Sequence, residues 1–203
     1  MGGGFSRQEQ PTSPLLLLHT IHKKPTKLIM FGLEYSDRKE LIPYFGLGKD
    51  PTLIIPVIDT VIQAIDLGKQ LVFYSWDIRG ASRRNRAWRG VKWFMVGYDV
   101  LVFVVDATDR DRLFEARDEL GCYLDLAARE EEGKKERETV LLILATRCEY
   151  PHALELLEIR DAFERRLSKG KRKWRIQGCD ATTGEGVVEG LEWVTAQFSG
   201  VAP

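Results

Sequence analysis

The chain has few of the residues that build metal centres or disulfide frameworks. Its three cysteines, Cys122, Cys148 and Cys179, are isolated, odd in number and nowhere spaced Cys-x-x-Cys, and its three histidines are His19, His22 and His152. That argues against a zinc site or a disulfide scaffold and fits a reducing compartment. Long apolar runs are missing as well. The longest near the N-terminus, Leu15 to Leu18, is far too short to span a bilayer. Positive charge follows that run, in His22-Lys23-Lys24-Pro25, whereas a secretory signal would carry it in front. There is no excess of charge of one sign: 30 Lys and Arg balance 30 Asp and Glu. No electrostatic case for a nucleic-acid partner follows from that balance.

What is present is an ordinary globular composition, 44% hydrophobic and 30% charged over 203 residues, which suits one domain with a full core. Residues 1–26 contain Gly, Pro and Ser and read as an extension, 27–199 as the domain, and 200–203 as a short tail. Strand-like runs occur at 27–32 (KLIMFG), 61–65 (VIQAI), 70–76 (QLVFYSW), 99–106 (DVLVFVVD), 139–145 (TVLLILA) and 173–178 (KWRIQG). Several are continuously apolar, as strands buried on both faces are.

Helical patterns separate these runs. Leu113, Ala116, Leu120, Tyr123 and Leu124 share one face between 109 and 127. Leu154, Leu157, Ile159 and Phe163 do so between 151 and 167, and Val187, Val188, Leu191, Val194 and Phe198 near the end. Strands alternating with helices predict an α/β fold: about six mostly parallel strands, helices on both faces, and one antiparallel hairpin at 61–76 around the turn-like DLGK. The charged stretch REEEGKKERE, within 128–138, reads as a solvated loop or a partner contact.

Residues 32–40, GLEYSDRKE, follow a strand and precede the helix-like ELIPYF. A glycine ending a strand, a polar loop and a helix make the layout of a phosphate-binding loop, G-x-x-x-x-G-K-[ST]. From Gly32 the last three positions fall on Asp37, Arg38 and Lys39. Shifting by one residue to make Lys39 the loop lysine places Arg38 at the glycine and Glu40 at the hydroxyl. Neither register restores the pattern.

The segments KLIMFGLE, YSWDIRG with Trp88 and Arg89 beyond it, LVFVVDATDRDRLFEARDEL, LLILATRCEYPHA and DATTGEGVVEGLEWV occur in this order between about 27 and 199. Together they resemble the Arf and Arf-like small GTPases. The resemblance implies a P-loop GTPase fold, a guanine-nucleotide site with Mg²⁺, and protein effectors.

Set against that implied site, this chain departs in the phosphate loop, both switches and the guanine-reading motif. Asp37 brings a side chain and a negative charge where glycine lets backbone N–H groups close around phosphate. Arg38 falls on the phosphate-reaching lysine, a bulkier and differently aimed cation. Lys39 replaces a hydroxyl that holds Mg²⁺, and an ammonium cannot ligate a cation. In the first switch Pro56-Val57-Ile58-Asp59 stands for Pro-Thr-Ile-Gly, and Val57 has no oxygen to offer.

The second switch keeps Asp77 and Gly80, but Arg79 takes a glycine position and Ala81 that of the glutamine that orients water. The guanine-reading Asn-Lys-x-Asp appears as Thr146-Arg147-Cys148-Glu149, and Asn85, the only asparagine, lies elsewhere. Ala181 and Thr182 match the last base-contacting loop. The nucleotide-site positions are thus Gly32, Asp37, Arg38, Lys39, Asp77, Arg79, Gly80, Thr146, Arg147, Glu149, Ala181 and Thr182. The expectation is a degenerate site with no catalytic residue, no metal and no bound cofactor. The internal ion pairs expected to fill it join Arg38, Lys39 or Arg79 to Asp37, Asp59, Asp77 or Glu149. The alternative is a divergent regulator of membrane trafficking that binds GTP or GDP through Arg38. No nucleophile–base constellation supports another enzyme class.

MGGGFS matches the myristoylation pattern M-G-x-x-x-[ST] with Gly2 as acceptor and Ser6 in place. A single acyl chain needs a second membrane signal, for which Leu15–Leu18, Ile21 and His22-Lys23-Lys24 are candidates. Of the aromatic effector cluster that the resemblance implies, Trp76 is kept, whereas Thr60 and Val91 stand at the other positions. Trp76, Trp88, Thr60 and Val91 are the partner-surface candidates. The combined expectation is an intracellular protein-binding subunit, in the cytoplasm or peripheral on a membrane.

Overall fold

The computed structural model describes residues 26–33, 36–45, 53–57, 60–66, 71–78, 97–130, 139–168 and 172–199, with the backbone alone at 53–57, 60–66 and 71–78. At its centre four parallel strands lie side by side: β1 (Thr26–Leu33), β5 (Val100–Asp106), β6 (Val140–Thr146) and β7 (Trp174–Cys179). Beyond β1 the backbone continues through β4 (Leu71–Ile78), parallel to β1, and then β3 (Thr60–Asp66) and β2 (Leu53–Val57), both antiparallel to their neighbours. The full order is β2-β3-β4-β1-β5-β6-β7.

The sheet therefore contains a strand outside the six apolar runs of the sequence. β2 is five residues long and contains Pro56, which lacks the N–H of an interior strand. It lies at the edge of the sheet, where a proline is tolerated. Of the DLGK turn expected at 66–69, only Asp66, the last residue of β3, lies within the described residues.

Successive side chains along the central strands point to opposite faces, and both faces are covered. Ile29, Phe31, Leu101, Phe103, Leu141 and Ile143 pack with Leu120 and Tyr123 of α2 (Leu113–Glu130) and with Ile159 and Phe163 of α3 (Leu156–Leu167). On the other face Leu28, Met30, Val102 and Leu142 pack with Leu41 and Phe45 and with Val187, Leu191 and Val194 of α4 (Val187–Ser199). Each such fully buried side chain contributes about 1.5–3 kcal/mol relative to exposure.

Two helical readings need correction. α3 starts at Leu156 rather than at 151, because Glu155 and Glu158 form a reciprocal capping box there. Leu154 is buried ahead of the helix, its N–H donating to the Ala107 carbonyl at 2.8 Å. The buried stripe is then Ile159, Phe163 and Leu167, while Leu157 is 62% exposed. In α4, Val188 is likewise exposed beside the buried Val187 and Leu191. After β1, α1 is only four residues, Arg38–Leu41, and passes into a 3₁₀ turn at Ile42–Phe45. Pro43, with no N–H to donate, stands where the α-helix would have continued.

Candidate functional site

The strands β1, β5 and β6 run parallel and adjacent, so the segments leaving their C-terminal ends converge at one rim of the sheet. Ligands of open α/β folds bind in this crevice. Gly32 in β1 stands in register with Val104 of β5 and Asp77 of β4. A Cβ at Gly32 would lie 2.5 Å from the Val104 carbonyl oxygen and 2.9 Å from Ser36 Oγ, so only glycine fits.

The loop that follows is closed on itself. The Ser36 N–H donates to the Leu33 carbonyl at 3.2 Å and the Arg38 N–H to the Ser36 carbonyl at 2.8 Å. Two backbone donors that a phosphate cradle would aim outward are thus already satisfied within the loop. Asp37 is buried at 8% exposure, and its Oδ2, like Ser36 Oγ, is buried without a hydrogen-bond partner. Beside Ser36 lies a small, mostly apolar cavity of about 20 Å³, lined by Leu33, Val104, Leu113 and Ala116 with Ser36 and Asp106 at its polar side.

The cation that meets Asp37 comes from a different loop. Arg147, the residue after β6, has a left-handed backbone at φ 59°, uncommon for a side chain of this size. Its guanidinium reaches back over β5: one terminal nitrogen donates to Asp37 Oδ1 at 2.5 Å and the other to Asp106 Oδ2 at 2.6 Å. Burial works against the charge, but Asp37 and Asp106 outweigh it, and the guanidinium pKa is raised above its ordinary value. Asp106 also accepts from the Thr108 N–H at 2.8 Å and the Thr108 hydroxyl at 2.6 Å, which fixes its carboxylate at the end of β5. The planar fork of arginine suits a bridge between two carboxylates better than an ammonium does.

The loops that follow β5, β6 and β7 are also tied down by side chains. Arg110 donates from Nε to the His152 carbonyl at 3.1 Å and pairs with Glu158 at 3.3 Å, bracing the loop after β6 against α3. Asp180 accepts from the Thr182 N–H at 2.6 Å and the Thr183 hydroxyl at 2.9 Å. These bonds, the backbone one foremost, hold its carboxyl below the usual range. The Tyr44 hydroxyl donates to the Thr182 carbonyl, and the Tyr44 ring fills the space where a Cβ on Gly184 would lie. The 3₁₀ turn at Ile42–Phe45 is therefore joined directly to the loop after β7.

Of the residues singled out from sequence, Gly32, Asp37, Thr146 and Arg147 come together at this rim. Thr146 is fully buried, its hydroxyl 3.5 Å from the Val105 carbonyl. Arg38 is buried, Lys39 and Glu149 are exposed, Ala181 is half-buried, and Thr182 takes part through its backbone. Asp37 pairs with Arg147, a cation outside the expected set of Arg38, Lys39 and Arg79. Asp77, Thr60 and Trp76 are placed through their backbone alone, and Gly2, Asp59, Arg79, Gly80, Trp88, Val91 and 131–138 lie outside the described residues. Asp106, Arg110, Tyr44 and Asp180 were not anticipated. Their one signal was position, because parallel neighbouring strands bring their C-terminal flanks together.

A profile of the ADP-ribosylation factor family matches residues 14–198. The chain belongs to the ADP-ribosylation factor family. That membership makes it a small-GTPase relative. Among the described residues, no helix is long and apolar enough to cross a membrane.

Proposed function

We infer that this protein is a non-catalytic member of the ADP-ribosylation factor family, a constitutive protein-binding subunit of a larger assembly. The observation that carries this reading is the Arg147 guanidinium fixed between Asp37 and Asp106 at the strand ends. A triphosphate would have to approach a buried carboxylate with an unpartnered oxygen, in a loop whose Ser36 and Arg38 amides already donate internally. The Arg147 guanidinium is already committed to two carboxylates, Asp37 and Asp106, and is not free to receive a polyanion. A Mg²⁺ ion would find Lys39 and Val57 where the family offers hydroxyl oxygens. The residues present do not fit a magnesium-bound nucleotide, and we derive no hydrolytic step through one.

A protein that does not exchange nucleotide has no ligand to shift it between states, so its use is constitutive binding. The Gly2 acylation pattern and the apolar and basic stretches at Leu15–Leu18 and His22-Lys23-Lys24 support attachment of that assembly to a membrane surface. The antiparallel strands β2 and β3 and the partly retained aromatic cluster around Trp76 are the family's effector side and remain candidates for partner contact here. Equilibrium titration with GTP and GDP, with and without Mg²⁺, tests the reading. The expected result is no saturable binding at micromolar nucleotide, whereas tight Mg²⁺-dependent binding would restore the alternative, a divergent GTP-binding trafficking regulator.

A further inference from the structure

At the end of the sheet opposite β2, β7 pairs with β6 on one side, and no described strand covers its other side. An open strand edge is a template for an added strand. Beside it, α3 begins with two leucines that it does not bury, Leu156 at 41% and Leu157 at 62% exposure. Between helix and strand runs a groove of about 560 Å³ with Leu156, Leu157, Trp174 and Ile176 as its apolar lining. Leu157 lies about 160° around α3 from the buried Ile159, so the core has no use for it.

The rim of the groove is positive. Arg160 and Arg175 both line it, and the one acid there, Glu164, sits loosely 3.9 Å from Arg160 with both side chains about half exposed. Lys173, exposed just before β7, adds to the same sign. A charged residue on an edge strand can serve only to deter unwanted pairing, but deterrence does not explain exposed leucines on the adjoining helix. A second copy of this chain is a poor occupant, because two-fold pairing of β7 edges would set the arginines of one copy against those of the other.

We propose that the β7–α3 groove is a docking site for an extended, acidic segment of a protein partner, which adds as a strand along β7 with alternate apolar side chains over Leu157, Trp174 and Ile176. Selection of a displayed library of roughly ten-residue peptides on the full chain tests this, with the Leu157→Asp chain as counter-selection. Leu157 is exposed, so that substitution leaves the fold intact, which circular dichroism verifies. Enriched peptides are expected to carry acidic residues and an apolar residue at every second position. Their affinity should fall about tenfold or more in both Leu157→Asp and Arg175→Glu, and fall with added salt. Absence of enrichment over the counter-selection, enrichment of basic or non-alternating sequences, or affinity indifferent to Arg175→Glu would overturn the proposal. So would a concentration-dependent dimer that Leu157→Asp dissolves, since the occupant would then be a second copy.

Discussion

Arg147 and Asp37 are separated by 110 positions in the chain, yet their side chains meet at 2.5 Å across the ends of three neighbouring strands. The contact is asymmetric. The Asp37 side chain is 10% exposed, whereas that of Arg147 is 40% exposed and keeps Asp106 as a second partner. Removing Arg147 strands a buried carboxylate, while removing Asp37 leaves a cation that is still paired and partly hydrated. Arg147→Ala should therefore cost about 2–3 kcal/mol of stability and Asp37→Ala less, about 1 kcal/mol. The double variant should show a coupling of about 1 kcal/mol in denaturant unfolding. Equal costs with no coupling would mean that the bridge does not support the fold.

Tyr44 clamps the 181–184 loop through one hydroxyl and one ring face. Tyr44→Phe keeps the ring and deletes the bond, and should destabilise by about 0.5–1.5 kcal/mol. Hydrogen exchange should quicken at 181–184 and stay unchanged in β5 and β6. Uniform acceleration over the whole domain would show that the bond is not a local clamp.

The two cysteines near the rim are expected to be unreactive. Burial, aided by the neighbouring Cys148 and Asp37, pushes the Cys179 thiol up to about 12, and burial together with Glu149 raises Cys148. Thiolate is the reactive form, so both should resist alkylation in the native protein near pH 8 and react once it unfolds. Peptide mapping after iodoacetamide treatment reads this directly, and rapid native labelling of Cys179 would contradict the packing.

The loop around Asp180 should weaken in acid. Its carboxyl is held below the unfolded value of about 3.9, so its contribution is complete above about pH 5 and is lost as the pH falls through the folded pKa. Unfolding midpoints measured from pH 6 to pH 3 should fall less steeply for Asp180→Asn than for the native chain. Parallel curves would remove Asp180 from the account.

The fold was legible where burial on both faces leaves long apolar runs, as in Leu101–Val105 and Leu141–Ala145. It was not legible at β2, where Pro56 hides a strand that only its place on the edge allows. The start of α3 was misread because Leu154 and Leu157 fit a helical period, although the capping box at Glu155 and Glu158 sets the true phase. At the site, Asp37 and Arg147 were each visible as departures from a motif. Their pairing was not, because neither periodicity nor spacing records which loops meet above a parallel sheet. Asp106 was passed over as part of a motif string, yet it is the fixed carboxylate that holds the other arm of Arg147.

The nucleotide content of the freshly purified 203-residue chain is the most direct measure of the central claim. Denaturing the protein and chromatographing what it releases should yield no stoichiometric guanine nucleotide, with or without Mg²⁺ present throughout purification. One mole of GDP or GTP per mole of protein would mean that the Asp37–Arg147–Asp106 bridge opens to admit a nucleotide, and would contradict the account.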